Sequence, residues 1–437
     1  MNQKSVFYNS LLTVVRQVLS AIFGLCAMVL IARVLGNEGQ GQYTLAILLP
    51  TLLFTFFNSG ISISTVYFIG QDKFKDEVVY STNLLISIVL SLVSIVIGLV
   101  IIFFFKHYFF ESLSSMLLLS TLFIIPILFV QRNLQTIFQA KENFHAYNIV
   151  TVLNQLGLFI FSVLFVWVLK LGIYGAVLSF GLSQLLMLVV LIYFLNSSYN
   201  FFWPNQISLN YAFESFKFGL KGHISNVISF INYRVDIFLI AFFVDDTAVG
   251  VYSVAVLLAE RIWLISQSVS SVLYARVSNL KNDLERDRFT SFASRMVLFI
   301  TFIGALIIAL CSDWIFNIFF GPDYIGSIKP FLLMLPGIVL FSLSKVIGND
   351  FTGRGFPEIN TYIALVISIV NVILNVYLIP MYGIIGAALS TSISYILDVI
   401  IKSYIFCTNN KVSINQLILI KKTDITYLIK KVKILKL

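Results

Sequence analysis

Twelve apolar runs follow one another along the chain, at 10–34, 42–69, 79–105, 114–138, 148–169, 172–195, 215–243, 248–275, 291–319, 328–347, 361–380 and 383–406. Each is close to or above the roughly 20 residues that a helix needs to cross a bilayer. Short polar segments separate them, mostly under about 15 residues, which leaves no room for a soluble domain. The pattern predicts an all-α polytopic membrane protein of about twelve transmembrane helices. An even number of spans per half returns the chain to its starting side. Two six-helix halves would then share one orientation, as two parallel lobes around a central cavity.

The halves announce themselves by repetition. Residues 30–49 read LIARVLGNEGQGQYTLAILL and residues 239–258 read LIAFFVDDTAVGVYSVAVLL, aligned without a gap at an offset of 209. Gly41 falls on Gly250, Tyr43 on Tyr252 and Ala46 on Ala255. A second pair, GIYGAVLS from Gly172 and GIIGAALS from Gly383, recurs at an offset of 211, and Pro126 and Pro336 are 210 apart. This predicts lobes over 1–198 and 215–408, a linker over 199–214 and a tail over 409–437. In each hairpin the glycine either lets two backbones approach closely or supplies an unusual dihedral. The two prolines are expected to bend equivalent helices.

Composition agrees: 59% of residues are hydrophobic and 11% charged, far from a soluble domain's balance. The first run is too long for a signal-peptide core and should remain as a helix. Cys26, Cys311 and Cys407 show no pairing pattern, and His107, His145 and His223 stand at no metal-site spacing, so neither a disulfide framework, a metal nor a cofactor is expected. Nucleotide loops and nucleophile motifs are missing, which argues against an enzyme. Lys and Arg concentrate in alternate connections (Lys73, Lys75, Lys141, Arg276, Arg286, Arg288, Arg354), placing both termini in the cytoplasm. The net charge of +9 is mostly this topology signal, with no call for nucleic acid. In the tail, Ile414, Leu417, Ile418, Ile425, Leu428, Ile429 and Val432 recur at near-helical spacing between lysines. It is either an amphipathic helix on the anionic inner leaflet or a disordered basic segment.

An ionised side chain in mid-membrane costs about 2.5–3.5 kcal/mol, so each needs a reason. On the seventh span Lys221, Ser225, Ser229, Asn232 and Asp236 share about an 80° sector at 100° per residue. At the offset of 209, Arg16 takes the place of Ser225 and Ser20 that of Ser229. On the eighth, Ser253, Glu260, Gln267 and Ser271 share a face, and their partners Thr44, Thr51, Asn58 and Ser62 are all polar. These faces either line a shared cavity or glue helices together within each lobe. The candidate cavity residues are Arg16, Ser20, Thr51, Asn58, Lys221, Ser225, Asn232 and Gln267. Acids occur only in the second half's spans, so any coupling ion would sit at Asp236, Glu260 or Asp398. By sequence Asp236 could pair with Lys221 or Arg234, and Asp398 stands alone in the last helix.

The segment ARVLGNEGQGQYTLA, with Ala32, Arg33, Leu35, Gly36, Gly41 and Tyr43, resembles the polysaccharide-repeat flippases of the multidrug/oligosaccharidyl-lipid/polysaccharide exporter superfamily, as do the six-plus-six repeat and the GIxGAxLS helices. The resemblance implies an alternating-access fold with a cationic cavity, and Arg16 fills the position of a recurrent first-helix arginine. The implied cargo is an undecaprenyl-pyrophosphate-linked oligosaccharide, moved to the outer face of a bacterial inner membrane for O-antigen, capsule or exopolysaccharide assembly. Its partners would be that lipid-linked substrate, membrane lipids, and a polymerase and glycosyltransferases, with the chain acting as a monomer. The denser arginine cluster and two further helices of lipid II flippases are missing, which argues against peptidoglycan precursor. Two alternatives are a cation-coupled multidrug exporter of the same superfamily and a non-transporting assembly scaffold.

Overall fold

The computed structural model describes residues 3–199, 206–264, 266–267, 273, 277, 282–421 and 424, with side chains from residue 15 onward. Among these, ten helices are long and apolar enough to cross a membrane. The first, α1 (Gln3–Phe57), merges two expected spans, because 55 residues far exceed the length one crossing needs. Gly36 turns the chain between them at φ 69°, a conformation that costs a glycine little. The second crossing is completed by α2 (Ile61–Gly70), after a break at Ser59 and Gly60, both at positive φ.

The order continues with α3 (Asp76–Phe109), α4 (Ser115–Leu122), α5 (Ile124–Ala140), α6 (Phe144–Ser162) and α7 (Gly172–Tyr199). Next come α8 (Leu209–Phe243), α9 (Asp246–Arg261), α10 (Asp283–Leu310), α11 (Ile328–Gly353), α12 (Pro357–Tyr382), α13 (Ile384–Asn410) and α14 (Ile414–Ile418). Each expected span but the eighth coincides with a membrane-length helix or helix pair among the described residues, and the eighth with the shorter α9. The eighth continues beyond α9 into residues largely outside those described. The two prolines act differently. Pro126 follows the junction at Phe123 that splits its span into α4 and α5, whereas Pro336 lies inside one unbroken helix.

The chain forms two compact units, Met1–Ser253 with Phe319–Asp323, and Val254–Ile318 with Tyr324–Leu437. In the first, α1 packs on α6 and α7, and α3 on α5. Although α8 follows the repeat boundary, it lies against α2 and α3, so compactness and repeat are two different divisions of the chain. In the second unit α13 packs on α11 and α12, and α10 on α11.

Small residues decide how closely these helices pass. A Cβ on Gly41 would lie 1.8 Å from the Asp246 carbonyl oxygen, and one on Gly250 1.8 Å from that of Asn37. The contact is reciprocal at the repeat offset: 37 and 41 on one side, 246 and 250 on the other. Nearby, the repeat partners Thr44 and Ser253 share a hydrogen bond at 3.3 Å. Of the two roles open to these glycines, close approach is the one they play. The other repeat pair behaves alike too. Gly172 and Gly383 turn at φ 60° and 57°, Gly175 and Gly386 pass close to the carbonyls of Phe165 and Leu378, and Ser179 and Ser390 each bond back to the glycine carbonyl.

A second close crossing joins α2 to α8. A Cβ on Gly60 would come within 2.1 Å of the Gly219 oxygen. One turn on, the hydroxyls of Ser64 and Ser215 hydrogen-bond, and Phe68 meets Tyr211 edge-on at 5.8 Å. Lys73 and Glu214 close the end with an ion pair.

The tail's described part is docked on the second unit. Leu417 is fully buried, and the Arg295 guanidinium forks onto Asp424 at 2.8 and 2.9 Å, with both side chains 7% exposed. Ile425, Leu428, Ile429 and Val432 lie outside the described residues. Burial opposes the charge of Asp424, but hydrogen bonds from Arg295 and the Lys421 N–H, with both positive charges, outweigh it and hold its carboxyl below the ordinary range. A depressed carboxyl contributes stability that is fully present above its unfolded pKa of about 3.9 and is lost as pH falls through the lower folded value.

Two outcomes are expected. Gly41→Ala or Gly250→Ala overpacks the crossing by about 1–3 kcal/mol, lowering the melting midpoint of the detergent-purified protein by several degrees. Gly70→Ala, with nothing within 4 Å of the added carbon, leaves it unchanged. Asp424→Asn strands a buried guanidinium at a cost of about 3–5 kcal/mol, so limited trypsinolysis at Lys421 accelerates at least ~tenfold, while the unaltered chain stays protected from pH 5 to 8.

Candidate functional site

The polar faces divide into side chains whose bonding is complete and side chains whose bonding is not. Asp236 is buried on α8. One carboxylate oxygen accepts the Ile237 N–H at 2.8 Å and the other the Tyr252 hydroxyl at 2.6 Å. Tyr252, fully buried on α9, is a partner that the sequence reading did not consider. Thr44, Ser253 and Ser62 act as glue, the last on Asn133 at 3.2 Å. Thr51 turns its hydroxyl back to the carbonyls of Ile47 and Leu48.

Four of the candidate residues behave otherwise. Among the described residues, Arg16 Nε, Ser20 Oγ, Asn58 Oδ1 and Asn232 Oδ1 are buried without a hydrogen-bond partner. The Arg16 guanidinium lies over the Tyr147 ring of α6, 5.4 Å from its centroid. The aromatic face supports the charge without filling its directed N–H donors. Arg16 and Ser20 are one helical turn apart on α1, so they share a face. Of the rest, Ser225 is half-buried and accepts the Ser229 hydroxyl through its carbonyl, Lys221 is exposed on α8, and Gln267 is exposed. Ser271 lies outside the described residues. An orphaned polar atom costs about 1–3 kcal/mol unless something else supplies the bond; other buried polar atoms, at Gln131, Asn148 and Thr301 among them, share this state.

The second unit holds a cluster that the sequence reading left incomplete. Asp398 does not stand alone: Lys402, one turn on, lies 3.0 Å away, and Ser344 hydrogen-bonds both. The i,i+4 spacing was a usable signal for this pair. Lys345 on α11, near the end of its apolar run, was missed. Its ammonium sits 3.9 Å from the centroid of the Trp263 ring, with Glu260 attracting it. Arg261, next to Glu260, keeps an orphaned Nε. Charge here is not random decoration of the helices.

Residues 6–281 match the family described as polysaccharide biosynthesis protein. The chain belongs to this family. A putative O-antigen transporter of Shigella flexneri is 24% identical over 92% of this chain and 98% of its own. The capsular polysaccharide biosynthesis protein CapF of Staphylococcus aureus is 23% identical over 90% and 97%. A probable low-salt glycan biosynthesis flippase of Haloferax volcanii is 26% identical over 45% of this chain, spanning only 42% of that protein's length. Among solved structures, the lipid II flippase MurJ in an inward closed conformation superposes with a TM-score of 0.75 at 20% identity, covering 93% of this chain and 90% of that one. An inward-facing multidrug transporter of the MATE family follows the same course, with a TM-score of 0.71 at 15% identity over 90% and 94%. The family member therefore carries the fold of the multidrug/oligosaccharidyl-lipid/polysaccharide exporter superfamily.

The division into completed and open bonding predicts opposite responses to mutation. Tyr252→Phe removes a made hydrogen bond and should cost about 1–3 kcal/mol of stability. Arg16→Ala removes only a cation–π contact and should shift stability by no more than about 0.5–1 kcal/mol. Thermal unfolding of the two purified variants checks the ranking.

Proposed function

We propose that the chain is a flippase for polyprenyl-pyrophosphate-linked oligosaccharide repeat units, carrying them from the cytoplasmic to the outer face of a bacterial inner membrane. The observation that carries this reading is the open bonding of Arg16, Ser20, Asn58 and Asn232. A pyrophosphate and its sugars present many acceptors and hydroxyls, and bare in hydrocarbon they would meet a very large desolvation barrier. A guanidinium donates charge-assisted, two-pronged hydrogen bonds in place of water. Ser20 and the two asparagines offer matching contacts to sugar hydroxyls. The polyprenyl tail needs no such help and stays in lipid. No bond of the cargo is made or broken, so the work is carriage rather than catalysis.

The Shigella and Staphylococcus relatives, named for O-antigen transport and capsule synthesis, support this choice of cargo. The Lys and Arg bias favours both termini inside. An inside-negative potential favours moving anions outward by about 2.3 kcal/mol per charge per 100 mV. Ion coupling is thus not required, and Asp236, Glu260 and Asp398 are its candidates where it occurs. Lys221 and Gln267 would meet the cargo at more exposed positions, with Thr51 and Ser225 lining its path. The two repeats would alternate in exposing the Arg16 face to either side.

In a strain lacking its own flippase, Arg16→Ala should abolish surface polysaccharide while the protein still reaches the membrane. Arg16→Lys should keep part of the display, and Glu260→Gln most of it. A drug exporter gives the opposite ranking: Glu260→Gln or Asp236→Asn loses resistance to cationic compounds, and Arg16→Ala is silent. Full display with Arg16→Ala removes that residue from the reading. Loss of resistance without a polysaccharide phenotype removes the reading itself.

A further inference from the structure

Lys345 presents a physical problem that its surroundings do not solve. It lies on α11, within a membrane-crossing segment. Its ammonium carries three N–H donors. Among the described residues no acceptor lies within hydrogen-bond distance and no carboxylate within ion-pair distance of it. What holds it is aromatic: the Trp263 ring at 3.9 Å and the Phe341 ring at 5.7 Å. Such contacts are worth about 0.5–2 kcal/mol and leave the directed N–H donors of the ammonium unfilled.

The platform under it is rigid. Trp263 is pinned by its indole N–H to the Ile338 carbonyl at 3.1 Å. It meets Phe341 at 5.3 Å and Tyr395 at 5.5 Å, and those two rings stack at 4.5 Å. Rings from three helical segments thus back the ammonium on one side. Lys402 gives the contrast. Its ammonium is 3.0 Å from Asp398 and 2.9 Å from Ser344, so its charge is used internally. The charges acting on Lys345 are Glu260, which attracts it, and Lys402, which repels it. Arg16 over Tyr147 in the first unit has the same construction: a cation on an aromatic face with donors left open.

We infer that Lys345 is a second anion-binding station, which takes a phosphate or carboxylate oxygen of the cargo on an ammonium backed by Trp263. The inference rests on the flippase reading and extends it: the second unit has an aromatic-backed cation of its own for an anionic cargo. Two sources of anion are possible, the lipid pyrophosphate and an acidic sugar.

The test is retention of lipid by purified full-length protein in native mass spectrometry. The probes are undecaprenyl-pyrophosphate-linked oligosaccharides with neutral and with uronic-acid sugars. Lys345→Met should weaken retention at least ~tenfold and Lys345→Arg only a few-fold, the charge being what matters. Loss with both probes assigns the station to the pyrophosphate, and loss with the acidic probe alone assigns it to the sugar carboxylate. The same loss should appear in a Glu260→Gln background. Retention by Lys345→Met equal to that of the unaltered protein overturns the inference. So does a loss that vanishes with Glu260→Gln, since Lys345 would then only balance Glu260. Failure of the unaltered protein to retain either probe removes the flippase reading and this inference together.

Discussion

The approach of Gly41 to Gly250 is the contact on which the rest depends. Two backbones pass so closely that a single added carbon would lie 1.8 Å from a carbonyl oxygen on either side. In hydrocarbon no hydrophobic force drives helices together, so association relies on close packing of small residues. Because the contact joins repeat-equivalent positions, it also sets Thr44 against Ser253. Gly60 against Gly219 pins α8 to α2 in the same way, farther along. Glycine is what both places share.

Around these crossings the charges follow one rule. Those that hold the protein together are fully bonded: Arg295 on Asp424, Arg354 between Asp287 and Asp350, Lys402 on Asp398. Arg16 and Lys345 are supported from behind by rings and left with open donors. Breaking a buried pair is expensive because it strands a charge. A cation without an acceptor keeps donors free for a ligand, as the proposed reading requires. Substrate carriage needs that second kind of site, and rigid elements need the first.

Much of this was legible in the sequence, and the rest was not for definable reasons. The offset of 209 relates Gly41 to Gly250, and that pair touches; the offset of 211 relates Gly172 to Gly383, which turn alike. Apolar runs map onto helices because crossing length is fixed by the bilayer. The Asp398–Lys402 pair was readable from its i,i+4 spacing. What could not be read were partners far apart in the chain. Tyr147 under Arg16 is one, and Asp424 on Arg295, 129 residues away, is another. Nor does periodicity tell glue from lining: Thr44 and Asn58 lie on the same expected stripe, yet the first is bonded and the second has an orphaned oxygen. Lys345 was hidden by position, since a lysine near the end of an apolar run reads as an interface anchor.

The central claim is that the protein moves an anionic lipid-linked sugar across a bilayer. It is tested most directly in proteoliposomes holding the purified chain and an undecaprenyl-pyrophosphate-linked oligosaccharide labelled on its sugar. An impermeant lectin reports how much label reaches the outer leaflet from the inner one. The account predicts a protein-dependent rise in lectin-accessible label, accelerated by a potential negative on the donor side. Label that stays inside at the protein-free rate, in vesicles where the same protein transports a cationic dye, would contradict it.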